Sequence, residues 1–75
     1  MSYALYRCGD DTYVAVHACM SPPLGATRLY GHPTMVRASP RNADSAGWRH
    51  ALRRIEASMY AVVPLADVDE MFVLR

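Results

Sequence analysis

Apolar positions recur with a helical period over one long stretch, Asn42 to Tyr60 (NADSAGWRHALRRIEASMY), where Trp48, Leu52, Ile55 and Met59 fall at i, i+4, i+7 and i+11 with Ala51 beside them. A stripe of this kind needs a partner surface, and the side of the helix away from it carries Arg49, His50, Arg53 and Arg54. The stretch therefore predicts a basic amphipathic helix. Asn42, Asp44 and Ser45 are all candidate caps, and Gly47 in the first turn leaves the start open by several residues.

Elsewhere the pattern has a strand period. Tyr3 to Arg7 and Thr12 to Met20 alternate and flank Gly9-Asp10-Asp11, which predicts a β-hairpin. With Asp10 and Asp11 as the loop, Leu5 lies opposite Val16 and Arg7 opposite Val14. Leu5, Val14, Val16, Tyr3 and Ala18 then face the helix, while Ala4, Tyr6, Tyr13, Ala15 and His17 form an exposed, partly aromatic face. Ser21-Pro22-Pro23-Leu24-Gly25 ends the second strand, Ala26 to Tyr30 reads as a third, shorter strand, and Thr34 to Ala38 as an extended piece. After the helix, Tyr60 to Leu65 reads as a buried strand, Ala66 to Asp69 as a turn, and Glu70 to Arg75 as a last strand pairing with Tyr60 to Leu65. The result is an α+β fold, a small antiparallel sheet with one amphipathic helix packed on it in the order β-β-(β)-α-β-β, spanning residues 1–75 as a single domain.

Composition limits what such a fold can be. A chain of 75 residues buries little more than about 60% of its unfolded surface, so modest stability is expected, and homodimerisation would add to it. Leu, Ile, Val and Phe total 15 residues, yet a net charge of +1 and added Tyr, Met and Ala favour a packed domain over disorder. All eight basic residues are arginine, and lysine and glutamine are absent, a bias that fits a high-GC bacterial or phage coding sequence. Five arginines between Val36 and Ala57 meet only Asp44 and Glu56, whereas beyond Ser58 a single Arg75 meets Asp67, Asp69 and Glu70. The molecule should have electrostatically opposed ends, and it is far from the acidity a nucleic-acid mimic would need. No apolar run reaches the ~18 residues of a membrane span, and the opening MSYALYRCGDD lacks the basic and long apolar regions of a signal peptide, so a soluble cytoplasmic protein without membrane contact is expected.

The candidate chemistry is sparse. In the hairpin, Cys19 lies beyond the position opposite Cys8 by on the order of 20 Å at ~3.3 Å per residue, too far for a disulfide, so two reduced thiols are expected. Cys8, His17, Cys19, His32 and His50 could supply metal ligands, but His17-Ala18-Cys19 is their one close pair, and structural zinc usually needs two. Neither metal nor other cofactor is expected. Asp67, Asp69 and Glu70 lack the Gly and distant Glu of a calcium loop. No nucleophile elbow, phosphate loop or paired-carboxylate spacing accompanies the cysteines, so a catalytic role is not expected.

The basic helix is left as the leading candidate. Arg49/Arg53 and His50/Arg54 are like-charge pairs at i,i+4, each costing a few tenths of a kcal/mol unless relieved by an anionic partner or by nearby carboxylates such as Glu56. Arginine's planar fork suits bidentate contacts with carboxylates and phosphates, and five tyrosines add interface material. The candidate contact residues are Arg49, His50, Arg53, Arg54 and Arg41, with Tyr6 and Tyr13 from the exposed sheet face. In size, arginine-biased composition, α+β order and lack of a catalytic set the chain resembles small phage or mobile-element proteins, anti-CRISPR inhibitors among them. That resemblance carries over no residue and implies a non-catalytic inhibitor or adaptor whose partner is a protein with an acidic surface. The alternatives are a nucleic-acid-binding module, against which a pI near 7.8 counts, and a small thiol or metal enzyme.

Overall fold

The computed structural model describes residues 2–74. Its elements run β1 (Tyr3–Cys8), β2 (Thr12–His17), α1 (Leu24–Tyr30), β3 (Pro33–Val36), β4 (Ala38–Pro40), α2 (Ala46–Ser58), β5 (Ala61–Val63), α3 (Leu65–Met71) and β6 (Phe72–Leu74). The fold is α+β: an antiparallel sheet in the order β3-β1-β2-β5, a smaller sheet of β4 and β6, and three helices.

The hairpin forms where alternation places it, but its register differs from expectation by one residue. Cys8 pairs with Thr12, so Gly9, Asp10 and Asp11 all belong to the loop, and Leu5 lies opposite Ala15 instead of Val16. A slip of one residue turns a strand's side chains over. Ala15, with Tyr13 against it, therefore faces α2, whereas Val14 and Val16 join Cys8 in a second cluster on the far face. The longer loop follows from a close approach. Gly9 is left-handed (φ 64°), its N–H donates to His32 O at 3.1 Å, and a Cβ there would strike the Tyr30 carbonyl. Only glycine accommodates both the backbone and the contact.

Ala26 to Tyr30 is helix, not strand. Pro22-Pro23 precedes it, Pro23 taking the extended cap conformation (φ −61°), and Gly31 closes it with φ 114°. α1 lies on the far face of the sheet, with Ala26 buried and Tyr30 packed on the Cys8, Val14 and Val16 cluster together with Tyr6 and Tyr60. Both faces of the hairpin are thus covered.

On the other face, α2 contributes Trp48, Ala51 and Ile55 to the main core. Leu52 is only partly buried and Met59 is exposed. Ser45 is the N-cap, its hydroxyl accepting from the Trp48 N–H at 3.2 Å, and Met59 ends the helix in a left-handed conformation (φ 73°). Asn42 lies before the helix, also left-handed, its side-chain amide donating to Glu70 O at 2.9 Å.

The C-terminal segment departs furthest from its reading. Residues Leu65–Met71 form α3 behind Pro64, with Asp67 in the first turn, where a carboxylate suits the helix dipole. The final strand is short and pairs with β4, Pro40 opposite Phe72 and Ala38 opposite Leu74, so it never meets β5. Arg75 lies outside the described residues. α3 reaches α2 at Gly47, where a Cβ would press on Met71 Sδ at 3.1 Å. Trp48 locks this junction: its indole N–H donates to Arg41 O at 2.8 Å and to Met71 O at 3.0 Å, and its ring packs tilted on Tyr3 and Phe72. Among the described residues, no helix is long and apolar enough to cross a membrane.

Candidate functional site

α2 builds the site by committing one side to the core. With Trp48, Ala51 and Ile55 buried, the helix period leaves Arg49, His50, Arg53 and Arg54 exposed on the solvent side. They form two adjacent ridges, Arg49/Arg53 and His50/Arg54, whose Cβ atoms lie about 5–6 Å apart along a helix. Glu56, one turn beyond Arg53, is exposed as well. The side-chain hydrogen bonds among the described residues lie at caps, loops and the Trp48 junction, and none engages these arginines. Their guanidinium groups are free to make bidentate contacts with an incoming carboxylate or phosphate.

Arg41 has an exposed side chain at the same end of the molecule as the start of α2, while its backbone serves the junction, the N–H donating to Met71 O at 2.8 Å and the carbonyl accepting from Trp48. The two tyrosines are not brought into this surface. Tyr6 is half-buried on the far face of the sheet, in the cluster under α1, and Tyr13 is half-buried against the main core on the α2 side. The register separates them, so they share no exposed face.

The thiols and histidines are dispersed. Cys8 is fully buried at the end of β1, and burial pushes its thiol above the usual range, while Cys19 is exposed beyond the opposite end of β2; both are free. His17 is exposed and stacks on Tyr3 with ring centroids 5.2 Å apart. Among the described residues, no three potential metal ligands come together. One feature escaped the sequence reading, a cleft beside Arg37 where β3 gives way to β4. Its only prior signal was the bounded extended piece Thr34 to Ala38, which does not announce that the strand changes sheets.

No known protein family matches the chain, and neither a curated protein nor a solved structure shows significant similarity to it.

Proposed function

We propose that the chain is a non-catalytic protein-binding module, a small bacterial or phage inhibitor or adaptor that blocks a larger complex by laying the arginine face of α2 on an acidic protein surface. The observation that carries this reading is the concentration of Arg49, His50, Arg53 and Arg54 on the solvent side of a helix whose other side is buried. Like charges at i,i+4 cost a few tenths of a kcal/mol per pair in the free protein, and an acidic partner would turn that repulsion into attraction. A net charge of +1, with acidic residues gathered on α3, suits a protein partner better than a polyphosphate backbone. Support for a non-catalytic role comes from Cys8, whose buried thiol with its raised pKa is a poor nucleophile. The resemblance in size and composition to phage inhibitors of the anti-CRISPR type points the same way.

The test is capture of the partner from a high-GC bacterial lysate, followed by affinity measurements on the Arg49→Glu/Arg53→Glu double variant at low and physiological salt. Both positions are exposed, so folding should change by less than about 0.5 kcal/mol per substitution. Partner affinity should fall by at least about tenfold, and more at low salt. Unchanged affinity would remove α2 from the interface. Tight duplex binding with a steep salt slope would favour the nucleic-acid alternative instead.

A further inference from the structure

The larger sheet has two outer edges, and they are built differently. β3 pairs with β1 on one side and with no strand on the other among the described residues, and β5 likewise pairs with β2 alone. Hydrogen-bond parity fixes which main-chain groups each edge presents. Gly9 N–H donates to His32 O in register with the β1–β3 ladder, so Thr34 and Val36 turn inward to β1 while Pro33 and Met35 turn outward. Pro33 has no N–H to offer, and Arg37 follows the strand directly, two features that discourage pairing at an edge.

β5 has neither guard. Ala18 N–H donates to Ser2 O in register with the β1–β2 ladder, which turns even-numbered residues of β2 toward β1 and odd-numbered ones toward β5. Tyr13 and Ala15 therefore form the hydrogen-bonded pairs with Val63 and Ala61, and the N–H and C=O of Val62 point outward from the edge. The Val62 side chain is 39% exposed, and Met59 and Leu65, on either side of the strand, are 45% and 72% exposed. No charged residue occurs from Ala57 to Ala66. The edge is open in its main chain, apolar in its side chains and free of the charges that keep natural edges apart.

We propose that this edge pairs with a second copy of the chain, β5 against β5 in antiparallel register with Val62 opposite Val62, so that two four-stranded sheets join into one. In a two-fold contact each group near the axis meets its own copy, so a charge there would repel itself, and an uncharged strip is what such a contact needs. Only Val62 can lie on the axis, because the main-chain groups of Ala61 and Val63 already face β2. Its N–H and C=O meet the C=O and N–H of the second Val62, which makes two hydrogen bonds. Met59 and Leu65 stand equally far from Val62 along the chain, so the same register brings the Met59 end of one copy to the Leu65 end of the other, twice. Pro64 has no N–H and stops the ladder there. So short a seam falls below the roughly 800 Å² per partner of a standard stable interface, on a chain whose whole accessible surface is 4818 Å². The dimer is therefore weak and concentration-dependent. It is separate from the arginine face of α2 and does not depend on that face binding anything.

The experiment is sedimentation equilibrium of the full chain over a concentration series, with amide chemical shifts followed over the same series. The mass should rise from 8.4 kDa toward twice that value, with a dissociation constant below about 1 mM that hardly changes between low and physiological salt. The concentration-dependent shifts should centre on Tyr60, Val62 and Leu65. Val62→Lys and Val62→Glu should each weaken self-association at least about tenfold by setting like charges on the axis, and an equimolar mixture of the two should restore it by pairing opposite charges. Leu65→Glu, outside the strand, should give the same loss without touching the sheet. Arg49→Glu/Arg53→Glu should associate like the parent protein. A monomeric mass throughout, strongly salt-dependent association, shifts centred elsewhere, a mixture no tighter than its components, or full association of Leu65→Glu would each overturn the pairing, and none of them bears on the binding of an acidic partner by α2.

Discussion

Cys8 and Cys19 occupy opposite environments eleven residues apart in the chain, and their chemistry should differ accordingly. A thiol reagent should modify one cysteine per chain in the native protein, Cys19, and two after denaturation; two rapidly modified thiols in the native state would contradict the packing of Cys8. The raised pKa of Cys8 also has a sign. The folded state holds its proton more tightly than the unfolded chain, so stability is fully present below the ordinary thiol pKa of about 8.5 and declines as pH rises above it. Denaturant melts from pH 7 to 10 should show this decline, and Cys8→Ala should flatten it. At this scale the sequence was legible where distance decided the answer and illegible where parity did. A one-residue error in the hairpin hardly changes the separation of the cysteines, but it reverses the faces of Tyr13, Ala15, Val14 and Val16. Tyr13 was assigned to an exposed face for that reason alone.

The element that reads most clearly is α2, because thirteen residues hold enough turns for a stripe to show. Its core face is centred on Ile55, 2% exposed, and Leu52 sits at the margin. Ile55→Asp should therefore unfold the protein, since an unpaired buried charge costs several kcal/mol against a total stability of about 5 kcal/mol. Leu52→Asp can turn its carboxylate to solvent and should lower the melting temperature without abolishing the fold. Thermal melts followed by circular dichroism would separate the two, and equal loss in both would move the centre of the stripe. α1 and α3 were not legible because each has seven residues, too few for a helical period to emerge. Their signals lay in the ends: Pro23 and Pro64 precede the two helices, and the left-handed Gly31 follows the first. The strand reading of Ala26 to Tyr30 weighed the apolar content and missed the punctuation. β6 was recognised as extended, but its partner was not, since a three-residue strand carries no register information and β4 is equally short.

For the molecule as a whole, the arginine excess of α2 and the carboxylate excess of α3 are legible from composition, whereas the packing of α3 against the start of α2 at Gly47 is not, nor is the division into two sheets, which depends on the bend at Arg37. Trp48 ties the smaller sheet to α2, its one N–H serving Arg41 O and Met71 O together at the ends of β4 and β6. Trp48→Phe keeps most of the packing but leaves two carbonyls without that donor, and a loss of about 1–3 kcal/mol in denaturant unfolding is expected. A loss below ~0.5 kcal/mol would mean that the junction is held by ring packing alone. The same junction makes the protein its own stopwatch. Trp48 is the sole tryptophan, so its indole proton is a single, unambiguous resonance, and it is released only when the β4 end and the α3 end let go. Its deuterium exchange, compared with that of amides at the centre of the hairpin, would time the opening of the smaller sheet separately from unfolding of the larger one. Faster exchange at the indole would mark the C-terminal third as the first cooperative unit to open, and equal rates would mean that both sheets open as one.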